Sequence, residues 1–333
     1  LVDVGLALPQ YDGFSVPGQA HLPWSTTARW AQGADRAGLH SVWLSDHLAF
    51  TVERYGGPPG LHSGFDPIVG LAALARQTTR VRLGTLVLSV PLRPPSIAAK
   101  ALSGIDRASQ GRVIVGLGAG NFEPDFEQAG IPFEPPGTRL ARLADAIAVM
   151  RGTFAGGPFD HHGPFYETAN LRNRPPAVQQ PSPPIWVGGK GGPKLLQLVA
   201  EHADGWNLCW TATPDDYATR LDALAGHRDP ATVDLSLGLY TLIGEDAADV
   251  RRRFERLKEH APPGTVPAAT VDEYRRGRLV GTVEEVQEQL RQWSGLGIRL
   301  VVACLGAVPF SVTHPDDLDA LDLLAAAATE GVS

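Results

Sequence analysis

The chain has 333 residues, with 36 acidic against 29 basic side chains and a net charge of -7, a length that accommodates one large domain or two ordinary ones around a substantial core. With 43% hydrophobic and 20% charged residues, and no apolar run near the roughly 18 residues of a spanning helix, the composition excludes a disordered chain and a membrane span. The acidic balance argues against a nucleic-acid surface, while two cysteines, Cys209 and Cys304, rule out a disulfide scaffold or a four-cysteine zinc site and point to a reducing cytoplasm.

Short apolar runs, too short for helices, alternate with longer stretches of helical period, and 37 glycines and 28 prolines punctuate them. Val2 to Leu8 reads as a strand at the start of the chain, where no secretory leader is expected, and Trp24 to Ala37 as a helix. The strand Ser41 to Leu44 precedes the helix Pro67 to Thr78, and the strand Val81 to Leu88 precedes the helix Ser96 to Ala108. Val113 to Leu117 is followed by Arg139 to Phe154, Ile185 to Val187 by Pro193 to His202, and Gly205 to Cys209 by Pro214 to Ala225. Val233 to Ile243 leads to two helical stretches, Ala247 to Glu259 and Val283 to Trp293. The first of these carries Arg251, Arg252, Arg253, Arg256 and Lys258 among Glu255 and Glu259, a spacing that predicts mutual ion pairs on a solvated face. The strand Arg299 to Leu305 and the Ala-rich stretch Pro315 to Thr329, which Asp316, Asp317, Asp319 and Asp322 make amphipathic, complete the chain.

Buried strands alternating with helices pair in parallel through right-handed crossovers. Eight such units closing on themselves predict an α/β chain made of a single TIM (β/α)8 barrel domain over residues 1–333. The alternative, an open doubly wound sheet, needs a glycine fingerprint after the first strand, and Leu8-Pro9-Gln10-Tyr11-Asp12-Gly13 lacks it. A minimal barrel takes about 250 residues. The surplus falls in Pro- and Gly-rich insertions at 51–66, 121–138, 156–184 and 261–281, expected at the C-terminal face of the strands.

That face is where a barrel carries its active site. After the second strand, Ser45-Asp46-His47 sets an acid beside an imidazole suited to proton exchange near neutral pH, or caps a turn. Gly84-Thr85-Leu86-Val87-Leu88-Ser89 mixes small polar groups into a buried strand, and Gly116-Leu117-Gly118-Ala119-Gly120-Asn121 lets a ligand approach the backbone. After the fifth strand, Gly188-Gly189-Lys190-Gly191-Gly192-Pro193-Lys194 leads straight into a helix. Consecutive amides there make an anion nest, to which Lys190 and Lys194, two of only four lysines, add charge. It is not a P-loop, because Gly-Lys-Ser/Thr is absent. Trp206 and Trp210 follow the sixth strand and read as core. Asp160, His161 and His162 lie in an insertion with no further ligand at a telling spacing, so no metal site is read there.

Taken together these motifs resemble the luciferase-like monooxygenase superfamily, in particular its branch dependent on the deazaflavin coenzyme F420. The resemblance is carried by Ser45-Asp46-His47, Leu83-Gly84-Thr85 with Arg93-Pro94-Pro95, and Ser109-Gln110-Gly111-Arg112 leading to Gly118-Ala119-Gly120. It continues through Pro181-Ser182-Pro183-Pro184-Ile185-Trp186-Val187-Gly188-Gly189 and Ala203-Asp204-Gly205-Trp206-Asn207. It implies a deazaflavin or flavin ring packed on a bulged third strand whose cis peptide maps to Leu86-Val87, with Asp46 and Ser89 bonding the ring and Ala119 and Gly120 along its edge. By the same resemblance Gly191 and Gly192 bind the phosphate, with Gly188, Gly189 and Lys194 nearby, and His47 is the proton donor. The acid that the sugar-phosphate dehydrogenases of this branch carry after the glycine turn is Asn121 here, and their phosphate-binding lysine falls on Ala212, so a sugar phosphate is not the expected substrate.

The expected activity is hydride exchange between F420 and a small organic substrate, with His47 and Asn121 as the candidate catalytic residues. The alternatives are a two-component monooxygenase using reduced FMN and oxygen, and a non-catalytic barrel that binds a ligand. A cytoplasmic homodimer with no metal is implied. Phe122, Phe126, Phe133, Phe159, Phe165 and Tyr166 are the candidates to line a hydrophobic substrate pocket, or else pack the long insertions.

Overall fold

A computed structural model describes residues 2–329. In chain order the strands are β1 Asp3–Ala7, β2 Ser41–Leu44, β3 Arg82–Thr85, β4 Leu88–Ser89, β5 Val113–Gly118, β6 Phe159–His162, β7 Glu167–Leu171, β8 Ile185–Gly188, β9 Gly205–Trp210, β10 Asp234–Gly244, β11 Leu279–Thr282 and β12 Leu300–Cys304. The helices are α1 Trp24–Ala37, α2 Pro67–Gln77, α3 Pro95–Ala108, α4 Glu123–Ala129, α5 Pro136–Ala155, α6 Pro193–His202, α7 Pro214–Ala225, α8 Ala247–His260, α9 Val271–Arg275, α10 Val283–Gly295 and α11 Asp319–Ala328.

Strands β1, β2, β3, β5, β8, β9, β10 and β12 pair in parallel as a closed eight-stranded ring. Closure is visible at Leu237 of β10, which is in register with Leu208 of β9 on one side and Val301 of β12 on the other. A closed parallel barrel buries both faces of every strand, which is why these segments read as apolar runs. Val113, Val115 and Leu117 of β5 join the layer beneath the helices, while Ile114 belongs to the barrel interior.

The interior is filled by aromatic rings, and glycines on neighbouring strands make the space. Trp43 of β2 stacks on Trp186 of β8 with ring centroids 5.5 Å apart. A Cβ on Gly84 would lie 2.2 Å from the Trp43 ring, and one on Gly205 would lie 2.6 Å from Trp186. The glycines inside these strands therefore trade side-chain packing of their own for the bulk of two indoles.

Three expectations are corrected by the fold. The run Val81 to Leu88 is not one strand: β3 pairs with β5 at Gly84 and Ile114, and pairing resumes at Leu88 of β4 opposite Leu117, so this edge holds one more residue than its partner. That is the bulge the family resemblance implies, and the Leu86–Val87 peptide bond within it is cis, also as that resemblance implies. Second, the insertions carry structure of their own. Residues 121–138 hold α4, residues 156–184 the antiparallel hairpin of β6 and β7, and residues 261–281 hold α9 and most of β11, which extends pairing along the end of β10. Third, the basic run on α8 is not a uniformly solvated face. Arg253 is buried and bonds Asp249 at 2.8 Å and also Asp319, and Arg256 pairs with Asp317. Side chains near the C-terminal helix thus clamp α8, while Lys258 pairs with Glu255 within the run at 3.2 Å, as its spacing predicts. Among the described residues no helix is long and apolar enough to cross a membrane.

Candidate functional site

The rim at the C-terminal ends of the first three strands is pinned by polar groups. Gln10, just beyond β1, donates to the carbonyls of Ser45 at 2.6 Å and Phe65 at 2.7 Å and accepts from the Ser45 amide at 2.7 Å. The buried hydroxyls of Tyr11 and Ser45 bond each other. Asp46 accepts from the Ser89 amide at 2.9 Å and receives both guanidinium nitrogens of Arg93, one at 3.0 Å. Arg93 reaches on to Asp66 at 3.1 Å, and Asp66 caps α2 through the amides of Ile68 and Val69. Burial alone would lower the Arg93 pKa, but the two carboxylates outweigh it and raise it. The Asp46 carboxylate thereby ties the end of β2 to the residue just after the bulge.

His47 is oriented by an acid that was not expected. Its Nδ1–H donates to Asp125 Oδ2 at 2.6 Å, and Asp125 Oδ1 accepts the Ala49 amide at 2.9 Å. The Asp125 side chain is 3% exposed and that of His47 is 21% exposed, so the carboxylate is buried behind the ring. Phe50 and Phe122 meet the imidazole edge-on at 5.4 and 6.0 Å. With Nδ1 occupied by a carboxylate that can only accept, the tautomer is set and Nε2 is left to exchange a proton. Asn121 is exposed and its side chain bonds neither His47 nor Asp125. Asp125 lies four residues further on, in the first turn of the short helix α4. The signal was present, since Glu123-Pro124-Asp125 has a proline and two acids where a helix begins. A seven-residue helix inside a Pro-rich insertion is easily read as loop.

Beside this pair lies the bulge. A Cβ on Gly118 would be 2.5 Å from the Val87 side chain and one on Gly188 would be 2.6 Å from it, so glycines on β5 and β8 leave the room that Val87 fills. On Gly116 the obstacle is backbone, with the Thr85 carbonyl oxygen 2.0 Å from a Cβ. The Ser89 hydroxyl is buried and has no hydrogen-bond partner, and a Cβ on Gly120 would sit 2.9 Å from it. Ala119 and Gly120 are half-buried along the same edge.

The glycine loop between β8 and α6 is held from behind. Trp206 Nε1 donates to the Gly189 carbonyl at 3.1 Å, and Arg220 donates to the Lys190 carbonyl at 2.8 Å. Gly192 caps α6 without a side chain, and the amides of Gly191, Gly192 and Lys194 find no acceptor in the protein. This is the geometry of an anion nest. Lys190 does not serve it as expected, because its ammonium bonds the Cys209 carbonyl. Lys194, at the second position of α6, is exposed.

The rings that crowd the barrel mouth are mostly not those expected. Tyr11 stacks on Phe50 at 4.7 Å, Phe50 on Tyr55 at 5.9 Å, and Trp210 meets Phe310 at 5.3 Å and Tyr240 at 6.1 Å. Phe126 and Phe133 pack on each other near Arg139, Phe165 and Tyr166 pack on Arg142, and Phe159 on His161. Of the six insertion aromatics only Phe122 borders His47, since long loops need their own small cores. His161 bonds Asp145 at 2.6 Å, and among the described residues no group of three His, Cys, Asp or Glu side chains is placed to hold a metal.

A closed parallel barrel with insertions folded over a strand-end histidine, a bulged third strand and a glycine nest is an α/β barrel of the TIM class. Within that class the chain belongs to the luciferase-like monooxygenase family, whose profile it matches over residues 6–300. A phthiodiolone/phenolphthiodiolone dimycocerosates ketoreductase of Mycobacterium tuberculosis is 26% identical over 348 residues, covering 87% of this chain and 90% of its own. A monooxygenase from Streptomyces bottropensis has the same fold, with a TM-score of 0.76, 24% identity and 98% of both chains covered. An F420-dependent secondary alcohol dehydrogenase, solved with an F420–acetone adduct, overlaps with a TM-score of 0.72 at 16% identity over 99% of both chains. The oxygenating constituent of 3,6-diketocamphane monooxygenase of Pseudomonas putida, solved with FMN, overlaps with a TM-score of 0.69 at 18% identity over 97% of both.

Proposed function

We propose that this chain is a deazaflavin-dependent oxidoreductase that exchanges a hydride between coenzyme F420 and the carbonyl or carbinol carbon of an organic substrate. The observation that carries the reading is the His47–Asp125 pair beside the bulged third strand, a proton-handling group with its tautomer set at the rim of a family barrel. The residues present suit the cofactor. Leu86 and Val87 offer a surface for the ring, the partnerless Ser89 hydroxyl with Ala119 and Gly120 an edge, and the free amides of Gly191, Gly192 and Lys194, next to Gly188 and Gly189, a phosphate seat. When bound, F420 supplies a two-electron hydride donor or acceptor.

The protein's own part is proton transfer, position and dryness. As the imidazolium, His47 gives its Nε2 proton to the substrate oxygen when a carbonyl carbon is reduced, leaving the neutral ring with its proton on Nδ1, and that neutral Nε2 takes a proton back when an alcohol is oxidised. Asp125 keeps the ring turned and stabilises the charged imidazole. Asp46 with Arg93 fixes the residue after the bulge, and the aromatic rings at the mouth keep water from the reacting centre. The ketoreductase relative and the alcohol dehydrogenase support carbonyl and alcohol chemistry. Titrating the protein with F420 and with FMN, oxidised and reduced, tests the proposal. Tight FMN binding without F420 binding overturns it in favour of a flavin monooxygenase, which oxygen consumption with reduced FMN would then reveal.

A further inference from the structure

Tyr240 lies within β10 at the level where the neighbouring strand β12 ends, in register with Cys304, the last residue of β12. The residue is 6% exposed, and its hydroxyl is buried with no hydrogen-bond partner. A buried phenol without a partner costs stability, and such groups are rare enough in native proteins that each calls for a reason. The fold supplies none. The ring packs on Trp210 at 6.1 Å, Arg278 lies 5.8 Å from its centroid, and the neighbouring Cys304 thiol is engaged with the Val308 carbonyl. Phenylalanine would make the ring contacts equally well.

The ring packing connects this hydroxyl with the histidine. From Tyr240 a series of ring contacts runs through Trp210, Phe310, Tyr11 and Phe50 to His47, so continuous aromatic packing links the phenol with the imidazole. Tyr55, on the single turn Glu53–Tyr55, stacks on Phe50. The turn ends at Gly56, whose backbone meets Gly264 of another insertion so closely that a Cβ on Gly264 would lie 2.1 Å from the Gly56 carbonyl oxygen. Two insertions thus meet next to the turn that carries Tyr55, and the ring packing ends at an unused hydrogen-bond donor.

Resting on the oxidoreductase reading above, we propose that the Tyr240 hydroxyl is the specificity group of the substrate site. It donates to an acceptor oxygen at the end of the substrate remote from His47, and the substrate class is a flat or apolar ketone, or its alcohol, with a second oxygen acceptor. Burial and then the nearby Tyr55 push the Tyr240 phenol well above its usual range, so it remains a donor at neutral and mildly alkaline pH.

The test uses two ketones of similar shape, 1,4-diacetylbenzene and 4-ethylacetophenone, which differ in the second oxygen. Each is titrated calorimetrically into the protein and into Tyr240→Phe, with and without F420. Wild type is expected to prefer the diketone by about tenfold, the worth of one hydrogen bond in a dry site. Tyr240→Phe is expected to lose that preference, to bind 4-ethylacetophenone as before, and to melt at the same or a higher temperature because a partnerless hydroxyl has gone. Equal affinities in wild type, a preference surviving in Tyr240→Phe, no binding of either ketone, or a clear fall in the melting temperature of the variant would each overturn the proposal. F420 titration of the same samples separates the two readings: a preference that depends on Tyr240 in a protein that does not bind F420 leaves this assignment standing and removes the cofactor.

Discussion

Asp125→Asn keeps the size of the side chain and removes its charge, and the consequence for His47 follows from the contacts. One oxygen of Asp125 accepts the Ala49 amide at 2.9 Å and the other accepts His47 Nδ1–H at 2.6 Å. In the asparagine variant the amide oxygen keeps Ala49, so the NH2 group turns to His47, and Nδ1 must become an acceptor with the ring proton moved to Nε2. The stabilised imidazolium is lost with the carboxylate. A charge-assisted hydrogen bond of this kind contributes about 1.5–3 kcal/mol, which at about 1.4 kcal/mol per decade lowers kcat by roughly 10- to 150-fold. KM and F420 affinity should stay close to wild type, because Asp125 lies behind the imidazole. Asp125→Ala should do the same to kcat and in addition leave the Ala49 amide unpaired, lowering stability by about 1–3 kcal/mol. The assay is steady-state turnover of F420 with a panel of ketones and alcohols, alongside thermal melts. Added to His47→Ala, the Asp125→Asn change should cost nothing further, since the carboxylate acts through the ring. A wild-type kcat in Asp125→Asn, or penalties that add in the double variant, would refute the reasoning.

Gly116→Ala is expected to be among the most damaging changes in the barrel, because the new methyl meets the Thr85 carbonyl oxygen at 2.0 Å; a loss of about 3 kcal/mol or more should appear in urea unfolding, and a near-neutral result would contradict the packing. For Asp35, burial raises the carboxyl pKa, but hydrogen bonds from the amides of Val81, Arg80 and Thr79 outweigh it and leave the folded value below the usual one. Its stabilisation is therefore present above the unfolded value of about 3.9 and is lost as pH falls through the lower folded value. Asp35→Ala should be about 2–4 kcal/mol less stable at neutral pH and lose less on acidification, as urea midpoints from pH 7 downward would show. Burial pushes the Cys304 thiol up, so an alkylating reagent at pH 8 should modify it only after unfolding; labelling of the native protein at Cys304, read by mass spectrometry, would contradict its burial.

Much of the barrel was legible in the chain because its signals are local. Helices α1, α6 and α7 begin and end where the periodicity and the punctuation at Pro193, Pro214, Gly38 and Gly226 place them, and the eight barrel strands are apolar over short stretches because both faces are covered. What was not legible depends on contacts between distant segments. The partner of His47 lies 78 positions away, and its sequence neighbourhood looks like any other Pro-rich insertion until α4 folds against the end of β2. The rings near His47 and Tyr240 come from β9, β10 and the segments after β1, β2 and β12, so their meeting is a property of barrel closure and not of any local pattern. In the same way Arg253 looked like one charge in a solvated run, and only the approach of the last helix supplied Asp319 and buried it. Periodicity records which face of an element is apolar, and so the sequence determined the barrel, its elements and the rim on which a site is built. Which acid orients the histidine, which rings pack at the mouth and which hydroxyls, those of Ser89 and Tyr240, are left without a partner were decided by tertiary structure, because those facts belong to residues that only the closed ring brings together.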